Sequence, residues 1–221
     1  MDDPSHHLGV LEERRRELRA RFASIFQFHK QFVWEIGCGH GHFLTAYAAK
    51  HPDRLCIGID IATERVDRAV RKRDRAQLVN LHFIQAEARL FLEALPKNME
   101  LSDIYILFPD PWPKLRHRKH RLLQPHFLQA VAGRSSPSAR LFFRTDYQPY
   151  FDEVAALLEP AAGWVRVDEE WPFAHETVFQ SRAQSYQSAS ARRAPDLGIS
   201  LPEEQPGETN YRRELVRLLH I

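Results

Sequence analysis

Short apolar runs recur along the chain, and each is followed by a stretch whose apolar positions return every three or four residues. Phe32–Ile36, Leu55–Asp60, Asn80–Gln85, Ser102–Phe108 and Arg140–Asp146 are the runs, and they predict strands. Between and after them, His42–His51, Thr63–Arg75, Ala88–Leu95, Leu122–Ala132 and Pro149–Leu158 have helical spacing. Thr63 is the expected N-cap of its helix, and Pro96 stops the helix before it. The strands are continuously apolar rather than alternating, as in a parallel sheet covered on both faces. The rhythm then changes. Trp164–Asp168 and Thr177–Ser181 have no full helix between them, which predicts an antiparallel hairpin at the sheet edge. The reading is α/β: a mostly parallel seven-stranded sheet with an antiparallel C-terminal hairpin and helices on both faces. Leu11–Phe28 predicts an arginine-rich helix ahead of the sheet, and Glu208–Leu219 a terminal helix. Residues 182–206, rich in Ser, Ala, Arg, Pro and Glu, read as linker. Three regions follow: a basic helical arm at 1–29, a core domain at 30–182, and a linker with its helix at 183–221.

Composition narrows the class only a little. The chain of 221 residues is 43% hydrophobic and 27% charged, ordinary for a globular protein that buries a real core. Its net charge of +2 says little about partners. The placement of the cations says more: they crowd at Arg14–Arg16, Arg65–Arg75 and Lys114–Arg121. Such clusters fit a nucleic-acid footprint, and they equally fit solvated helix faces. Cys38 and Cys56 are too few for a disulfide scaffold and match no zinc spacing, so no metal is expected. The acidic start and the lack of a long apolar run predict a cytoplasmic protein without a membrane span. Oligomeric state is not legible.

The candidate chemistry sits at the strand ends. After the first strand comes Glu35-Ile36-Gly37-Cys38-Gly39-His40-Gly41. Glycines let the backbone turn tightly and approach a ligand. His42 stands where a dinucleotide fingerprint wants its third glycine, which disfavours a dehydrogenase. Asp60 ends the second strand and suits a ribose diol, and Glu87 follows the third. Asp110 follows the fourth. Each acid alone is an ordinary strand-end or capping carboxylate. Together with the glycine turn they form a row of carboxylates, suited to a cationic ligand that carries an adenosine, as S-adenosylmethionine does.

Asp110 lies in Leu107-Phe108-Pro109-Asp110-Pro111-Trp112-Pro113-Lys114, ahead of Leu115-Arg116-His117-Arg118-Lys119-His120-Arg121. The prolines end the sheet ladder and bias Phe108, Asp110 and Trp112 towards extended backbone. The result is a stiff turn that presents a carboxylate with cations behind it. Trp112 either stacks on a base or packs under the turn.

These segments, with Arg144-Thr145-Asp146 and Thr177-Val178-Phe179, resemble in order the motifs of the bacterial tRNA (guanine-N7-)-methyltransferase family. The match covers about residues 30–182. The resemblance implies a Rossmann-like class I methyltransferase fold, S-adenosyl-L-methionine as cofactor, and methyl transfer to a guanine in the tRNA variable loop. By position it implies that Glu35, Gly37, Gly39, Gly41, Asp60, Glu87 and Asp110 hold the cofactor, with Asp110 also catalytic. It assigns Lys114, Asp146, Thr177, Val178, Phe179 and Gln180 to substrate, and Arg116, His117, Arg118, Lys119, His120 and Arg121 to RNA. The chain departs from the family where Thr-Lys-Phe-Glu becomes Thr177-Val178-Phe179-Gln180. That change keeps two other readings open: a methyltransferase for another RNA or a small molecule, and a non-catalytic RNA-binding relative.

Overall fold

The computed structural model describes residues 4–173, 175, 180, 181 and 183–195. The elements run in chain order: α1 (Pro4–Ile25), β1 (Gln31–Ile36), α2 (His42–Lys50), β2 (Cys56–Asp60), α3 (Thr63–Arg75), β3 (Leu81–Gln85), α4 (Ala88–Ala94) and β4 (Glu100–Leu107). Then come a 3-10 turn over Leu115–His120, α5 (Pro125–Ala132), β5 (Ser135–Thr145), α6 (Gln148–Leu157), β6 (Trp164–Val167) and β7 (Gln187–Arg193). The expected terminal helix and Thr177–Phe179 lie outside the described residues.

One seven-stranded sheet has the order β3-β2-β1-β4-β5-β7-β6. Neighbours among the first five strands are parallel, and β7 runs antiparallel to both β5 and β6. The order reverses between β1 and β4, so the crevice of this α/β sheet opens beyond their carboxyl ends. Side chains alternate across the sheet. Phe32, Trp34 and Ile36 of β1 and Ile104 and Ile106 of β4 join a core under α1, α4, α5 and α6, which supply Phe22, Phe91, Phe127 and Tyr150. Val33, Tyr105 and Leu107 face the other way, into a core with Phe43 and Tyr47 of α2 and Val66 and Ala69 of α3.

Four expectations need correcting. The hairpin strand beside β6 is β7, not Thr177–Ser181, so part of the stretch read as linker is a sheet strand. Its sequence, Gln-Ser-Ala-Ser-Ala-Arg-Arg, has no β-branched or aromatic residue. Pairing on both sides makes it a strand, and only small Ala189 and Ala191 fill its place in the core. Thr63 is the first residue of α3 rather than its cap; Ala62 holds the cap position with no side-chain bond. Phe108 and Trp112, each before a proline, are left-handed with φ of 51° and 42° rather than extended. A non-glycine residue there costs on the order of 1–3 kcal/mol, and such strain gathers where a fold holds a functional group in place. Finally, α1 begins at Pro4 and ends at Ile25, short of Phe28. It buries Leu11, Leu18 and Phe22, while Arg14, Arg16 and Arg19 pair with Glu17, Glu13 and Glu12.

Candidate active site

The glycine turn is built by its neighbours as much as by its own residues. Gly37, Gly39 and Gly41 all have left-handed backbone, with φ between 52° and 74°. At Gly41 a Cβ would also lie 2.5 Å from the Phe83 ring and 2.8 Å from Ala69, so close packing against β3 and α3 admits only glycine. The amides of Gly37 and Cys38 both donate to the Ile59 carbonyl at 2.9 Å, which stitches the turn to β2. Asp60 completes the stitch: its two carboxylate oxygens accept from Gly39 N–H and Ala62 N–H, each at 2.9 Å. Asp60 therefore shapes the turn as well as standing at the ribose position. Oδ2 also faces the Arg65 guanidinium at 3.8 Å, and Oδ1 keeps a second lone pair for a ligand.

Glu35 is the unusual acid of the site. It is buried at 4% exposure, near the end of β1 and under the start of α2. It accepts from the Leu44 amide, yet its Oε2 has no hydrogen-bond partner. Burial, reinforced by the nearby Asp60 charge, pushes its carboxyl from 4.5 up to about 8, although the Leu44 bond opposes this. At neutral pH the acid is mostly neutral, with an unused oxygen. A buried polar atom without a partner is costly, and such atoms are rare in native folds.

Glu87 caps α4, with Oε2 accepting from the amides of Arg89 and Leu90 at 2.8 and 2.9 Å. Asp110 is exposed beyond β4, and Asp146 is exposed just after β5. Because β1 to β5 are parallel, Glu35, Asp60, Glu87, Asp110 and Asp146 all lie at one end of the sheet. The structure thus brings these sequence-predicted acids to a common rim. Lys114 is exposed at the start of the 3-10 turn.

The basic run divides. Arg116, Arg118 and Lys119 are exposed on the 3-10 turn, and His117 and His120 pack on the Trp112 ring at 5.8 and 5.2 Å. Trp112 therefore packs within the turn. Burial and the neighbouring Arg116 charge hold His117 below its usual value. Arg121 does not belong with them. It is buried, donates from Nε to the Pro111 carbonyl at 2.8 Å, pairs with Glu153 of α6, and lies over the Tyr150 ring at 4.7 Å. An RNA role for Arg121 is corrected to a structural one: it ties the Pro109-Asp110-Pro111 turn to α6. In the sequence nothing separates it from its neighbours, because only the packing of α6 turns it inward.

Sequence reading also missed the loop between β6 and β7. Phe173 of that loop is buried against Phe43 and Tyr47, and Trp171 packs on Phe142. Gln180, assigned to substrate, accepts from Arg144 at 2.7 Å and donates to the Tyr186 hydroxyl at 2.9 Å.

Residues 29–194 match the family model described as "Putative methyltransferase". The chain is 37% identical over 145 residues to a tRNA (guanine-N(7)-)-methyltransferase of Syntrophotalea carbinolica, covering 66% of this chain and 62% of that protein. It is 33% identical over 158 residues to the protein of that name from Geobacter metallireducens, covering 71% and 74%. Among solved structures, the 16S rRNA methyltransferase KamB superposes with a TM-score of 0.57 at 20% identity, over 80% of this chain and 94% of that one. That likeness concerns the fold. A class I methyltransferase sheet of this kind implies a methyl donor of the S-adenosylmethionine type. With 74% of one relative covered at 33% identity and residues 29–194, about three-quarters of this chain, matched by the family model, the chain belongs to the bacterial tRNA (guanine-N7-)-methyltransferase family.

Proposed function

We propose that this protein transfers a methyl group from S-adenosylmethionine to N7 of a guanine in tRNA. One observation supports the cofactor most: the buried, unpartnered Oε2 of Glu35 in a row of strand-end acids. That oxygen calls for a donor, and the cofactor's ammonium is one. The surrounding acids suit a ligand that carries a sulfonium. Glu35 and the glycine turn would hold the amino-acid end, Asp60 the ribose, and Glu87 the region beside it. The cofactor supplies an electrophilic methyl on sulfur.

Guanine N7 has a free lone pair and needs no deprotonation. The protein's work is therefore alignment, and positioning alone can supply several kcal/mol of a barrier. As the methyl transfers, positive charge appears on the guanine ring. Asp110, presented on its strained turn, would accept from the N1–H and N2–H edge and stabilise that charge. Asp146 and Lys114 would contact the substrate from the same rim. Arg116, Arg118 and Lys119 would meet the phosphates. The resemblance also places Thr177, Val178 and Phe179 at the substrate, and they lie outside the described residues.

Labelled S-adenosylmethionine and unmethylated tRNA test the reading. Label should arrive at guanine N7, shown by mapping the modified nucleotide. Tight cofactor binding with transfer only to another RNA or a small molecule would favour the second reading. That alternative draws on Gln180, whose side chain is engaged by Arg144 and Tyr186.

A further inference from the structure

Inward-turned arginines in this fold meet negative charge. Arg54 and Arg140 share Asp103, Arg121 pairs with Glu153, and Arg15 pairs with Glu93. Arg134 donates to the Leu95 and Pro96 carbonyls, at the negative end of α4. Arg144, near the carboxyl end of β5, is different. Its Nε donates to Ser188 Oγ at 2.9 Å and a terminal nitrogen to Gln180 Oε1 at 2.7 Å. Its guanidinium lies over the Trp171 ring at 4.0 Å and the Tyr186 ring at 4.7 Å. Among the described residues each of these partners is neutral and none is an acid. The partners fix the group in place and, among the described residues, supply no negative charge to match it.

Its position is as telling as its partners. The Phe108 amide donates to the Arg144 carbonyl at 2.8 Å, so Arg144 is laced to the turn that presents Asp110. Asp146 lies two residues further on. Phe108 and Tyr186 meet edge to face at 6.0 Å, which extends the aromatic wall around the cation to that turn. Burial pulls the guanidinium below its usual value, as expected for a half-buried charge with no acid among its described partners. An arginine held by neutral partners beside the carboxyl ends of the strands is suited to a phosphate.

Resting on the tRNA reading above, we propose that Arg144 is a positioning residue that grips an RNA phosphate next to the target guanosine, with Gln180 as the neutral partner that keeps its charge available. The aromatic rings set its direction. A glutamate at position 180 would instead pair with Arg144 and cancel the site.

The test measures affinity of the full chain for an unmethylated tRNA transcript across roughly 50–200 mM salt. S-adenosylmethionine affinity and thermal melting serve as readouts of the fold. Gln180→Glu and Arg144→Gln should each weaken tRNA binding about three- to tenfold. Each should reduce the slope of log affinity against log salt by about 0.7–0.9, the loss of one phosphate contact. Arg144→Lys should keep the slope. If Arg144→Gln fails to fold, Gln180→Glu still decides, because it adds an ion pair instead of removing the rings' partner. Normal wild-type binding with unchanged slopes in the folded variants overturns the inference alone. Wild-type protein that ignores tRNA overturns the tRNA reading and this inference with it.

Discussion

Glu35→Gln separates the cost of the site from its use. Burial penalises the charged form of the Glu35 carboxyl and pushes it up to about 8, against an ordinary 4.5. Between those pH values the unfolded chain has released the proton and the folded chain still holds it. Stability therefore falls as pH rises through that window and levels off above about 8. At 1.36 kcal/mol per pH unit the whole window is worth about 5 kcal/mol, an upper bound. Glutamine mimics the protonated acid: its carbonyl can accept from the Leu44 amide, and it never ionises. Chemical denaturation at about pH 5 and about pH 8.5 should show the variant gaining on the wild type as pH rises. The same substitution should weaken S-adenosylmethionine binding by about 2 kcal/mol, roughly thirtyfold, because a charge-assisted partner is lost. Calorimetry in two buffers should also detect a proton released by the wild type on binding and not by the variant. Parallel stability curves for the two proteins, or equal cofactor affinity, would contradict a buried Glu35 carboxyl that holds the cofactor.

Three further variants probe the frame and the basic turn. Gly41→Ala places a Cβ 2.5 Å from Phe83 at a φ of 68°, and should cost about 2–4 kcal/mol in denaturant titration. Arg121→Ala leaves Glu153 without its partner and the Pro111 carbonyl without its donor; a loss of about 3 kcal/mol and a looser Asp110 turn should lower both melting temperature and turnover. Arg116→Ala with Arg118→Ala should leave melting unchanged and flatten the salt dependence of tRNA binding by about 1.5 in slope, whereas an unchanged slope would make that run a solvated surface.

Much of this was legible in the residues because local signals and tertiary context agree. The apolar runs became β1 to β5 because they are buried on both faces, and the glycines fell where the turn needs left-handed backbone. The strand-end acids shared a rim because parallel strands put their carboxyl ends together. Where context overrode local preference, the sequence misled. β7 is a strand through its two neighbours rather than its own residues. Phe108 and Trp112 leave the extended region that a following proline favours. Arg121 is indistinguishable from Arg118 until α6 encloses it. The isolation of Glu35 Oε2 and the neutral company of Arg144 are properties of assembled neighbours, which no spacing encodes.

Methyl transfer to guanine N7 with Asp110 at the reacting edge is tested by a single-turnover assay with labelled S-adenosylmethionine and unmethylated tRNA, run beside Asp110→Ala. The wild type should yield N7-methylguanosine. The variant should yield at least a hundredfold less, about 2.7 kcal/mol of lost stabilisation, with melting unchanged because Asp110 is exposed. Near-normal transfer by the variant, or wild-type label at any position other than guanine N7, would contradict it.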